Sequence, residues 1–137
     1  MSLFNVFEIS GTALTAQSVR LNTIASNLAN AGVVGSSPDE VYRARYPVFS
    51  TALDAARADR GTAGVRVEEI VESTVEPRKE YVPGHPMADE EGYIYRASIN
   101  SVEEMANMIS ASRSYQSSVE AMNTTKQLIM RTLSMGS

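Results

Sequence analysis

His85 is the single histidine of the chain, held between two prolines in Pro83-Gly84-His85-Pro86 and followed closely by Asp89, Glu90 and Glu91. An imidazole beside carboxylates is the combination from which general acid–base catalysis or metal ligation is built. Here the prolines fix the backbone of a turn, and three consecutive acids read as a solvated stretch of it. No second histidine completes a zinc site of the usual kind. Glu68 and Glu69 are another acid pair, but hydrolysis of a glycosidic bond needs carboxylates facing each other across a cleft, not adjacent along a chain. The serines have no base arranged beside them, and the glycines are spread singly, so neither an activated nucleophile nor a phosphate-cradling loop is indicated. With no cysteine in the chain, disulfides, thiolate metal sites and cysteine nucleophiles are excluded. The prediction is of a protein that is not an enzyme, with no catalytic, metal or cofactor-binding residue and no cofactor.

Charge then shows how the chain is organised. The net charge is -4, and no basic cluster of the kind that binds phosphate backbones is present, so no nucleic-acid partner is expected. Residues 1–31 contain one acid and one base, and residues 98–137 contain three of each. The other 12 acids and 8 bases, and all five prolines, lie between them. The reading is therefore of three parts: an N-terminal helix over 1–31, a small β-rich and loop insert over 32–97, and a C-terminal helix over 98–137.

Both ends carry helical periodicity. In residues 101–135, which lack proline and glycine, Met108, Tyr115, Met122 and Ile129 recur every seventh residue, flanked by Met105, Val119 and Leu133. Ser101 with Glu104 reads as a capping box at its start, and Gly136 marks its end. At roughly 1.5 Å per residue this helix is about 50 Å long, more than a compact domain of this size can enclose. In the N-terminal stretch Phe7, Leu14, Leu21 and Leu28 lie seven apart, with Leu3 and Ile24 in a second heptad position. The rest of that helix is Ser, Thr, Asn, Gln and Ala with almost no charge, a surface suited to other helices better than to water. The expected fold is mainly α with a small β-rich insert, the two terminal helices paired as a coiled-coil-like antiparallel hairpin. Leu3, Phe7, Leu14, Leu21, Ile24 and Leu28 would then meet Met108, Tyr115, Val119, Met122, Ile129 and Leu133.

The middle is read more coarsely. A short strand over 41–50 is limited to an edge by Pro47, residues 65–72 are the best strand, and 81–96 is a turn-rich hairpin with a strand at 93–96. Segment 51–64 is ambiguous between helix and turn. The first base is Arg20 and the apolar residues are periodic, so the expectation is that the chain reaches its destination without a general secretory signal. No apolar run approaches the roughly 18 residues that span a bilayer.

Certain motifs point further. Ala25-Ser26-Asn27-Leu28-Ala29-Asn30-Ala31 resembles the signature of the bacterial flagellar axial proteins of rod and hook. Ser112, Arg113, Tyr115 and Gln116, with the stretches 125–129, 81–86 and Gly92-Tyr93, resemble more narrowly the proximal rod subunits of that family. The resemblance covers both ends and the 81–96 turn and is weakest over 33–80. It implies a structural subunit whose terminal helices stack in a tubular rod crossing the periplasm, a drive shaft passing torque from rotor to hook. It implies as partners copies of the chain itself, related rod subunits, the membrane rotor ring or its adaptor at the rod base, and the flagellar type III export apparatus in transit. It also implies termini that order on assembly. In a mechanical role of this kind, Asn27, Asn30, Ser112 and Gln116 are expected to satisfy polar contacts between neighbouring subunits. Other readings of the same stripes are a distal rod or hook subunit, a secreted helical adaptor, or an enzyme acting on peptidoglycan.

Overall fold

The computed structural model describes residues 2–52 and 63–137; most of the ambiguous segment 51–64 therefore lies outside the described residues. Helix α1 spans Leu3–Ala29 and helix α2 spans Ser101–Met135. Between them come β1 (Val34–Gly35), a 3-10 turn (Pro38–Glu40), β2 (Arg45–Ala52), β3 (Gly64–Glu72), β4 (Arg78–Tyr81) and β5 (Tyr93–Arg96).

Local chemistry explains where the helices begin and end. The Ser2 hydroxyl accepts from the Phe4 N–H at 3.2 Å and opens α1. Asn30 closes it, its Nδ2 donating to the Ser26 carbonyl at 2.8 Å. The cap of α2 is Asn100, whose Oδ1 accepts from the Val102 and Glu103 N–H groups. Ser101 is the first helical residue, and the carboxylate of Glu104 makes a bond elsewhere instead of closing a capping box.

The strands form two antiparallel sheets, a ribbon of β2 with β3 and a three-stranded sheet in the order β1-β5-β4. Pro47 pairs with Ile70 in the ribbon, where each strand has a partner on one side only and a missing N–H is tolerated. The pairing shifts by one residue between Val48 and Phe49, a bulge that increases local twist. Strands β1 and β4 are additions to the sequence reading; both are short or uniformly exposed and carry little pattern.

The architecture corrects the expected fold class. The chain is a helix-plus-sheet domain, with five strands among the described residues, not a mainly α hairpin with a minor insert. Helices α1 and α2 do pack together: Gly11 stands against Met122, where a Cβ would lie 3.4 Å from Cε, and Asn27 meets Glu104. Ascending numbers on one meet descending numbers on the other, so they run antiparallel. The β2–β3 ribbon, however, also packs along α1. A Cβ at Gly64 would lie 2.7 Å from Thr12 Oγ1, and the Val65 N–H donates to that same oxygen at 3.2 Å. The small, uncharged face of α1 that reads as a helix-packing surface is thus partly a sheet-packing surface. Heptad periodicity locates such a face but does not say whether a helix or a strand covers it.

A compact apolar cluster closes the domain where its parts converge. Val41, Ala44, Ala97 and Ile99 are buried together, with Ala31, Tyr42 and Tyr95 packed against them. They come from the segments flanking β2, β5 and the end of α1, so the middle of the chain is locked to both helices. No helix among the described residues is long and apolar enough to cross a membrane.

Candidate functional site

The most completely bonded polar group lies at the end of α1. Asn27 is fully buried, and its side chain has two N–H donors and an oxygen able to accept twice. Nδ2 donates to the Arg45 carbonyl and to Glu104 Oε2, both at 3.0 Å. Oδ1 accepts from the Tyr42 hydroxyl at 3.0 Å and from the Arg45 N–H at 2.8 Å. One amide therefore joins α1, the start of β2 and the first turn of α2. Ser26 extends the junction, its hydroxyl 3.0 Å from the Tyr42 hydroxyl.

Charged groups surround this junction. The Arg45 guanidinium pairs with Glu72 at 3.2 Å and lies 5.7 Å from the Tyr42 ring centre. Glu104 is buried, and Tyr46 lies close to it; desolvation first, then the charges of Glu104 and Glu103 and the neighbouring Tyr42, hold the Tyr46 phenol above its ordinary value. A cleft of about 310 Å³ opens beside them, lined by Arg20, Ile24, Tyr46, Phe49, Glu104 and Asn107 among others.

The twelve residues predicted to pair the helices lie on the described helices with graded exposure. Ile24 is buried. Leu3, Leu14, Leu21, Leu28, Met108, Val119, Met122 and Ile129 are half-buried. Phe7 and Tyr115 are each 38 % exposed, and Leu133 is 66 % exposed. The buried positions are smaller or polar: Ala16, Thr23 and Asn27 on α1, and Glu104, Ala111 and Thr125 on α2. Of the motif residues, Ser26, Asn30 and Ser112 are half-buried, while Ala25, Ala29, Arg113 and Gln116 are exposed. Asn27 uses its hydrogen-bonding capacity inside the subunit, and Asn30 donates to its own helix.

Sequence reasoning missed Glu104 and Tyr42 as members of the junction. A usable signal existed in α2, where Glu104, Ala111, Ser118 and Thr125 lie seven apart. The half-exposed methionine stripe is more hydrophobic and obscures it.

The His85 turn is structural. His85 Nδ1 accepts from the Met87 N–H at 3.0 Å, and Asp89 Oδ1 accepts from the Glu91 and Tyr93 N–H groups at 3.0 and 2.8 Å. Gly92 adopts φ +86°, and a Cβ there would come within 2.9 Å of the Tyr81 ring, so the turn requires glycine. Among the described residues no group of three or more His, Asp or Glu side chains is placed to hold a metal ion.

Comparison with known proteins agrees with a role in assembly. Residues 7–35 match the family model described as flagella basal body rod protein, and residues 90–135 match that of the flagellar basal body rod FlgEFG protein C-terminal region. The chain is 47% identical over 136 residues to the flagellar basal-body rod protein FlgC of Yersinia enterocolitica, covering 99% of both chains. It is 46% identical over 136 residues to FlgC of Escherichia coli O157:H7, again covering 99% of each. FlgC of Buchnera aphidicola subsp. Baizongia pistaciae is 36% identical over 138 residues, with the same coverage.

Proposed function

The chain belongs to the family of FlgC-type flagellar basal-body rod proteins, and from that premise we propose that it works mechanically, its terminal helices building the proximal rod. It is a structural subunit of the flagellar basal body and not an enzyme. It assembles with other rod and basal-body components. The assembled tube acts as a drive shaft, passing torque from the rotor to the hook. At the base of the rod its neighbours are the membrane rotor ring or an adaptor to it, and in transit it passes through the flagellar export apparatus.

The observation carrying this reading is full-length similarity to FlgC proteins, which includes both terminal helices and the segments between them. The helical stripes support it. Leu21 and Met122 are half-buried, so each has surface on its own subunit and surface left for a neighbour. Burial of such a side chain contributes on the order of 1.5–3 kcal/mol before ordering entropy is subtracted, enough that a line of them holds an assembly that one chain alone holds weakly.

The test is replacement of the chromosomal gene by Leu21→Asp or Met122→Asp. Loss of swimming and of rods in purified basal bodies is expected. Normal rods in both variants would overturn the reading that these stripes build the shaft.

A further inference from the structure

Glu104 is 3 % exposed, yet only one oxygen of its carboxylate is bonded. Oε2 accepts from Asn27, and Oε1 makes no hydrogen bond among the described residues. Glu104 also lines the cleft of about 310 Å³, beside the exposed rings of Tyr46 and Phe49. Glu103 is close enough that its charge, like that of Glu104, acts on the Tyr46 phenol. Arg20 stands at the same cleft but enters no ion pair among the described residues, so two acids face one guanidinium that neither holds. A recessed carboxylate with one oxygen unmet is unfavourable until a cationic donor reaches it. Aromatic walls favour a guanidinium, which stacks on a ring while its N–H fork meets the acid.

The other end of α2 carries such a group. Gly11 faces Met122, so α2, ending at Met135, runs about five residues, roughly 7 Å, beyond the start of α1 at Leu3. Arg131 is the only basic residue on this overhang. It is exposed, forms no ion pair among the described residues, and is flanked by the exposed Met130 and Leu133. Arg113 and Lys126 are exposed too, but they lie alongside α1, where the bulk of the helix pair keeps them from entering a recess. Along one helix Arg131 is about 40 Å from Glu104, so the two can meet only between copies of the chain.

We infer that Arg131 of one copy seats in this cleft of a second copy, its guanidinium on Glu104 Oε1 and its apolar flanks against Tyr46 and Phe49. The two surfaces differ, so the contact is head-to-tail and extends a row of copies instead of closing a pair. The inference rests on the rod reading above and names one contact by which copies join.

The absence of cysteine makes the test direct. Asn107→Cys places a thiol at the cleft and Ser134→Cys places one beside Arg131; on one helix they are too far apart to join within a chain. The full-length double-cysteine chain is expressed alongside the parent chain so that rods form, and purified basal bodies are oxidised. Disulfide-linked dimers and longer products of this chain are expected, and neither cysteine alone should give a ladder. Glu104→Gln keeps the acceptor that Asn27 needs but removes the charge; it should lower the linked fraction about tenfold or more, as should Arg131→Gln, and the two together should lower it no further. Exclusion of the Glu104→Gln chain from rods at an unchanged melting temperature is the stronger form of the same loss. Rods that contain the double-cysteine chain without linked products, linkage to a different protein, or a ladder unchanged by Glu104→Gln overturns the pairing. Exclusion of Glu104→Gln with a lowered melting temperature does so as well, marking residue 104 as serving the fold alone. Absence of even the parent chain from purified rods would instead sink the rod reading, and the pairing with it.

Discussion

Asn27 shows how much of a fold can rest on one amide. Its four hydrogen bonds hold three segments, and the one to Glu104 is buried at both ends, so that carboxylate has no ready access to water if the amide is lost. Asn27→Ala leaves the Tyr42 hydroxyl, the Arg45 backbone and Glu104 without that partner. At about 1–3 kcal/mol for each buried group left unsatisfied, a destabilisation of roughly 2–5 kcal/mol is expected. Tyr42→Phe removes a single donor and should cost about 1 kcal/mol. Denaturant unfolding of both variants checks the ranking; equal effects would mean that the tyrosine, not the amide, anchors the junction. That Asn27 matters was legible in the motif around it. That its partners are Tyr42, Arg45 and Glu104 was not, because they lie 15, 18 and 77 positions away and no local pattern connects them.

Among the elements, the β2–β3 ribbon is the least expected, and Gly64 is where it touches α1. The Thr12 hydroxyl donates to the Ile9 carbonyl at 2.8 Å and accepts from the Val65 N–H, so it has little freedom to retreat. A methyl group at residue 64 would lie 2.7, 3.2 and 3.3 Å from three atoms of Thr12. Gly64→Ala is therefore expected to lift the ribbon from the helix and cost about 1–3 kcal/mol. Gly64→Ala combined with Thr12→Ser, which removes one of the crowding atoms, should recover part of that loss in thermal melts. If Gly64→Ala melts like the parent, the ribbon is not held at this contact. Strand 65–72 was legible from its valine spacing. Its destination was not, since a small polar helix face accepts a helix or a ribbon equally well.

For the whole molecule, what matters is which apolar surface remains uncovered. Val102, Met105 and Ile109 share one face of α2 and are 77, 55 and 59 % exposed. On the assembly reading, that face belongs to neighbouring subunits. Met105→Lys and Ile109→Lys should change the stability of the isolated chain by no more than about 0.5 kcal/mol, because both side chains are exposed and Lys is a good helix former. Rod formation, scored by electron microscopy of purified basal bodies, should nevertheless be lost. Normal rods would assign this face to solvent. Leu21→Asp and Met122→Asp differ in that both are half-buried and should impair the monomer as well as the rod.

By itself the sequence determined the extent of both helices, the strands at 65–72 and 93–96, the absence of thiol chemistry and the kinship with rod proteins. These depend on local information: caps, periodicity, composition and motifs. Only the tertiary structure decided which faces are buried. Small and polar residues such as Ala111, Thr125, Asn27 and Glu104 occupy the interior, while Tyr115 and Leu133 retain exposed surface. Burial depends on what stands opposite as much as on hydrophobicity. A polar side chain can be buried when its hydrogen bonds are met, and the groups that meet them are brought together only by the fold.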